Sequence, residues 1–132
     1  MPKRIVTTGG RDFTDEDMVN RVLNELNPRR IAQGGATGAD ALVRDWALRS
    51  GFLLVSAAEA CHADPNDRLC VNYLAAWKLY GFKAGPLRNG RMLYRELPDL
   101  VVAFPGNKGT ADCVRQARYV FGLKVHLATE DQ

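Results

Sequence analysis

Val101-Val102-Ala103-Phe104-Pro105-Gly106-Asn107-Lys108-Gly109-Thr110 joins an apolar, β-branched run to a Pro-Gly turn, a lysine, a second glycine and a threonine, after which an amphipathic pattern begins. Physically this spells a buried strand, a tight loop and the start of a helix. Such a junction offers an anion several backbone N–H groups and the positive end of the helix dipole. Gly106 and Gly109 carry no Cβ, so backbone can approach a ligand closely there. Two further glycine-rich junctions lie upstream, at residues 9–13 and 34–40.

The bulk properties frame this junction. A chain of 132 residues fits one domain with a real core. Its 46% hydrophobic and 25% charged content is ordinary for a globular protein. A net charge of +3 and a pI near 8.9 permit a phosphate-bearing ligand without arguing for nucleic acid. There is no run of about 18 apolar residues and no signal peptide after Met1-Pro2-Lys3-Arg4, so a soluble cytoplasmic protein with no membrane association is expected. Cys61, Cys70 and Cys113 are an odd number at irregular spacing, which reads as free thiols in a reducing compartment. Cys61-His62 with Cys70 does not repeat at finger-like spacing, and no metal site is expected.

Outward from the central stretch, strands and helices alternate. Arg4-Ile5-Val6-Thr7-Thr8 reads as a strand broken by Gly9-Gly10. Thr14 and Asp17 have capping-box spacing, and Met18, Val19, Val22, Leu23 and Leu26 form one helical stripe stopped at Asn27-Pro28. Residues 30–33 form a short strand. Thr37 and Asp40 repeat the capping-box spacing ahead of a helix with Ala39, Leu42, Val43, Trp46 and Ala47 inside, ending near Ser50-Gly51. Residues 52–56 form a third strand. Asp64-Pro65 looks like a helix start, with Leu69, Tyr73, Trp77 and Tyr80 at helical spacing up to Gly81, a helical insert around residues 61–80. These aromatics either pack on a neighbour, or Trp77 or Tyr80 stacks on a base or lines a subunit contact. Residues 83–89 read as a turn opening a short helix through Met92 and Leu93, broken by Pro98-Asp99 before the strand at 100–104. The last helix buries Val114, Ala117 and Phe121 and stops at Gly122; a strand at 123–127 follows, and the tail from Ala128 to Gln132 is expected to fray. The sum is an α/β, Rossmann-like open parallel sheet of about five strands with helices on both faces, in a single domain. Right-handed crossovers then bring the glycine loops to the carboxyl edge, where ligands bind.

Four loops meet there by this reading. They supply Gly9, Gly10, Arg11 and Asp12; Gly34, Gly35, Ala36, Gly38 and Asp40; Gly85, Pro86, Arg88 and Asn89; and Pro105, Gly106, Asn107, Lys108, Gly109 and Thr110 as ligand or phosphate contacts. None of the loops has the Walker or GxGxxG spacing, so no nicotinamide or other cofactor is expected. The planar forks of Arg11 and Arg88 suit phosphate or carboxylate, unless both are solvated or salt-bridged. Asp40 and Asp12 either cap helices or bind ribose hydroxyls, and Asp112 complements a helix dipole. His62 and His126 have no partner in sequence. No catalytic set is assigned; Arg88, Asp40 and Asp12 are the candidates.

The set Thr8-Gly9-Gly10-Arg11-Asp12-Phe13, Gly34-Gly35-Ala36-Thr37-Gly38-Ala39-Asp40, Ala84 to Asn89 through Met92, and Val102 to Thr110 resembles the SLOG superfamily, in its YspA-like (YpsA-related) branch. The resemblance spans roughly residues 5–127 and implies a Rossmann-like domain binding a nucleotide or nucleotide-derived ligand, assembled as a homodimer or higher homo-oligomer. More distant relatives are the LOG-type phosphoribohydrolases, which cut the N-glycosidic bond of nucleoside monophosphates, and the DNA-processing protein A that works on single strands. Arg88 with Met92 is similar to the hydrolases' arginine-x-x-x-methionine element, implying a phosphate or catalytic contact. Residues 105–110 match their PGGxGTxxE motif in part, with Asn107 at the second glycine and Cys113 at the glutamate. The expectation is therefore a nucleotide-binding module, with N-glycosidase activity as the alternative. Single-stranded nucleic-acid binding is disfavoured by mixed charges and the lack of a basic-aromatic stripe.

Overall fold

The computed structural model describes residues 3–129. Its sheet is built from β1 (Arg4–Thr8), β2 (Arg30–Gln33), β3 (Leu53–Ser56), β4 (Leu69–Asn72), β5 (Leu100–Ala103) and β6 (Val125–Leu127). The order is β3-β4-β2-β1-β5-β6, with every pairing parallel. Helices α1 (Glu16–Leu26) and α2 (Ala39–Arg49) cover one face, and α4 (Ala84–Glu96) and α5 (Lys108–Tyr119) the other; a four-residue α3 (Trp77–Tyr80) precedes α4.

Successive strand residues point to opposite faces, and the two cores divide accordingly. Ile5, Ile31, Cys70 and Val102 pack under Val19, Leu23, Val43 and Trp46 of α1 and α2. Their neighbours Val6, Ala32, Val71 and Val101 pack under Met92, Leu93, Cys113 and Ala117 of α4 and α5. Strands covered on both faces read as near-continuous apolar or β-branched runs, as β1 and β5 do.

The sheet has six strands rather than about five, and the difference lies where a helix was expected. Asp64-Pro65-Asn66-Asp67 closes a turn, the Asp67 N–H donating to the Asp64 carbonyl at 3.0 Å and the Asn66 N–H to the Asp64 carboxylate at 2.9 Å. Short polar side chains favour such turns as readily as helix caps. Leu69-Cys70-Val71 then runs as a fully buried strand that wedges between β2 and β3. The spacing of Leu69, Tyr73, Trp77 and Tyr80 is thus no helical stripe: only Trp77 and Tyr80 are helical, and both are exposed.

Smaller differences follow from local bonding. Asp15, not Thr14, caps α1, accepting from the Met18 N–H at 3.0 Å. Gly38 at φ 72° begins α2 with no side-chain cap. Of the expected turn at 83–89, Lys83 closes a short 3-10 turn and residues 84–89 are instead the first part of α4, where Pro86 needs no N–H partner. Ala128 does not fray: it is buried, and its N–H donates to the Ala103 carbonyl at 2.9 Å. Residues 130–132 of that tail lie outside the described residues. Among the described residues, no helix is long and apolar enough to cross a membrane.

Candidate functional site

The strand order reverses between β1 and β5, whose neighbours lie on opposite sides, and the crevice above such a switch point is where open α/β sheets bind ligands. Here the two chain exits are stitched together. The Phe104 N–H donates to the Thr8 carbonyl at 2.8 Å, and the Gly10 N–H to the Pro105 carbonyl at 2.9 Å. The third loop joins by the Ala39 N–H on the Gly10 carbonyl at 3.0 Å and the Thr37 hydroxyl on the Arg11 carbonyl at 3.3 Å.

Several glycines serve this loop packing rather than the cleft. A Cβ on Gly38 would collide with the Gly10 and Arg11 carbonyls, and its φ of 72° excludes most other residues. A Cβ on Gly34 would strike the Arg88 guanidinium and come within 2.9 Å of the Asp40 carboxylate. Gly35, at φ 68°, faces Leu74, and Gly106 packs on Thr110 and Gly10.

Between the loops opens a cleft of about 810 Å³, within the range of small-molecule sites. Gly9, Gly10 and Arg11 line it from β1, Ala36 and Asp40 from the loop before α2, and Gly85, Pro86, Arg88 and Asn89 from α4. Asn107, Lys108, Gly109 and Thr110 line it at the start of α5. Six of the expected residues do not line this cleft. Gly34, Gly35, Gly38, Pro105 and Gly106 sit in its supporting turns, and Asp12 faces a separate hollow beside Phe13 and Met18. Asp12 left the site because the chain turns after Gly10, the Phe13 N–H donating to the Gly10 carbonyl at 3.3 Å.

Arg88 does not project freely. Its Nη1 donates to the carbonyls of Gly34 at 2.8 Å and Tyr73 at 3.2 Å, and its Nε to Asn89 Oδ1 at 3.0 Å. Asn89, itself buried, donates to the Gly109 carbonyl at 3.2 Å and to Asp112 at 3.1 Å, so it ties α4 to the first turn of α5. Burial lowers the Arg88 pKa, only partly offset by the Asp40 charge. Burial likewise raises the Asp40 pKa, against the Ala36 N–H that bonds it at 3.3 Å and the charge of Arg88. A half-shielded carboxyl and guanidinium therefore share the cleft floor. Cys113 lies beneath them, wholly buried, its thiol pushed up to about 12 by burial despite a hydrogen bond with Thr8.

Thr8, Phe82 and Arg115 also line the cleft and are not candidates from sequence; Trp77, whose sequence alternatives include stacking on a base, lines it as well, and so does Asp112, read from sequence as a dipole partner. Arg115 was legible in principle, seven residues after Lys108 and so two turns along the same face of α5. Phe82 depends on the course of the chain after β4 and carried no signal of its own.

A parallel α/β sheet whose loops converge on a cleft at its reversal point is a Rossmann-like domain. Residues 3–64, just under half the chain, match the family model described as YAcAr: YspA, cpYpsA-related SLOG family. Over that segment the chain is similar to the YspA-like branch of the SLOG family. No curated protein matches it.

Proposed function

We propose that the chain binds a nucleotide or nucleotide-derived ligand in this cleft, with a phosphate on the turn into α5. The observation that carries the reading is the convergence of that turn with Arg11, Arg88, Lys108 and Arg115 in one cleft at the switch point. The first N–H groups of α5 have no intrahelical acceptor, and Asn107 places no side-chain cap over them. The family-model match over residues 3–64 is consistent with nucleotide-related binding. Two carboxylates, Asp40 and Asp112, line the same cleft and suit ribose hydroxyls better than phosphate.

A hydrolytic reading has one observation in its favour, the Asp40 carboxyl, whose raised pKa fits an acid or base facing the cleft. Against it, the position of the hydrolases' glutamate is held by the buried, neutral Cys113. Binding without N-glycosidic cleavage is therefore the preferred function. The homodimer implied by the resemblance forms part of this proposal, and light scattering at micromolar concentration tests it.

Thermal shift and calorimetry with mononucleotides, ADP-ribose and cyclic nucleotides test the binding. A ligand at about a hundred times its dissociation constant adds roughly 2.7 kcal/mol of stability. Absence of any shift or heat across the panel overturns the proposal.

A further inference from the structure

Part of the cleft wall is built by the segment after β4, beyond the residues that match the family model. Trp77 opens α3 there, 47% exposed yet lining the cleft, and Phe82, 86% exposed, lines it too. The indole leans on the first turn of α4, its Cη2 standing 3.5 Å from where a Gly85 Cβ would be. Over the ring, 5.1 Å from its centroid, lies the guanidinium of Arg11. Among the described residues that guanidinium makes no ion pair and no side-chain hydrogen bond, so the indole is its contact.

A large aromatic left half-exposed inside the cleft, covered by a cation that makes no ion pair among the described residues, is a surface suited to a flat π-system. An exposed cation–π contact is weak, and a base stacked on an aromatic ring is held more firmly. A guanidinium, in turn, binds a phosphate by paired charge-assisted hydrogen bonds more strongly than it binds a ring face. Exchanging one for the other satisfies both groups within the same cleft.

We propose that the Trp77 indole is the stacking platform for the base of the bound nucleotide, and that Arg11 moves from the indole onto the phosphate as the base takes its place. This rests on the reading of the cleft as a nucleotide site and assigns the base a position within it. No other indole of the chain competes for the role, since Trp46 is buried between α1 and α2 with its Nε1 on Asn24 at 2.8 Å.

The experiment follows tryptophan emission and calorimetric heat while AMP, GMP, CMP, UMP or ribose 5-phosphate is added to the full chain. At least one of the four mononucleotides is expected to quench emission in the wild type and to bind Trp77→Phe without quenching. Ribose 5-phosphate is expected to bind about tenfold more weakly and leave emission unchanged. Trp77→Ala should reduce the mononucleotide to the ribose 5-phosphate level and leave ribose 5-phosphate itself unaffected. Equal affinities for mononucleotide and ribose 5-phosphate, unchanged in Trp77→Ala, overturn the platform and leave the phosphate site standing. Failure of every probe to bind the wild type overturns this inference, and failure of ADP-ribose and the cyclic nucleotides as well removes the nucleotide reading with it.

Discussion

The Thr110 hydroxyl fills the space that a side chain on Gly106 would need, and the Gly10 nitrogen stands 2.6 Å from the same point. Gly106 is therefore a packing residue of the switch point. Gly109, three residues on, has nothing within 4 Å of its would-be Cβ and lines the cleft. The two glycines separate stability from binding. Gly106→Val is expected to destabilise the fold by about 1–3 kcal/mol through overpacking. Gly109→Val should leave urea unfolding unchanged within about 0.5 kcal/mol and weaken nucleotide binding by about tenfold or more. A binding-neutral Gly109→Val would move the phosphate off this turn.

Arg88 holds three acceptors from three segments of the cleft wall. Arg88→Ala leaves the Gly34 and Tyr73 carbonyls short of a donor, and the expected loss is about 2–3 kcal/mol of stability, the range for hydrogen bonds to a charged group. Binding falls in parallel. Chemical denaturation read beside calorimetry distinguishes this from a role in binding alone, in which the denaturation midpoint stays put.

Asp40 makes the fold sensitive to pH in a defined direction. Its folded-state pKa is raised by burial, so ionisation disfavours the folded chain. The penalty is absent below the ordinary carboxylate value, appears between that value and the raised one, and persists above. Asp40→Asn is expected to have the higher melting temperature at pH 7, with the advantage shrinking as the pH falls toward 4. A variant less stable at pH 7 than the wild type contradicts this.

The three thiols should differ sharply. Cys61 is exposed, whereas Cys70 and Cys113 are buried, with their thiols pushed up to about 11 and about 12 by burial. One thiol per chain is expected to react rapidly with a disulfide reagent at pH 8, and two only on unfolding. Cys113→Glu places a carboxyl in the core of the α4–α5 face and is expected to unfold the chain rather than create a hydrolase. The wild type is expected to release no free base from AMP, as chromatography would show.

Much of the architecture was legible because buried parallel strands announce themselves as β-branched runs, as in residues 4–8 and 100–104. The same rule applied to Leu69-Cys70-Val71, but the run is short, and aromatics farther along gave it a helical spacing that is spread over β4, the connection after it and α3. In the cleft, glycines and arginines in loops were readable one by one. Which of them line the cleft was not, because Asp12 is turned away by a bond within its own loop and Gly106 is packed against Gly10 and Thr110 by a bond between loops far apart in sequence. The wall carrying Trp77 and Phe82 depended on placing β4 first.

The wedged position of β4 bears on how the chain can assemble. β3 pairs with β4 and not with β2, and β1 is flanked by β2 and by β5, which arrives only at residue 100. A nascent chain that has emerged through residue 64 therefore holds one strand pair, β1 with β2, and a third strand with nothing to dock against. The segment that matches the family model thus lacks β4 and β5, the strands that β3 and one edge of β1 pair with in the finished sheet. Its completion waits for later residues, and the sheet closes around β4 only when the aromatic wall of the cleft is synthesised with it.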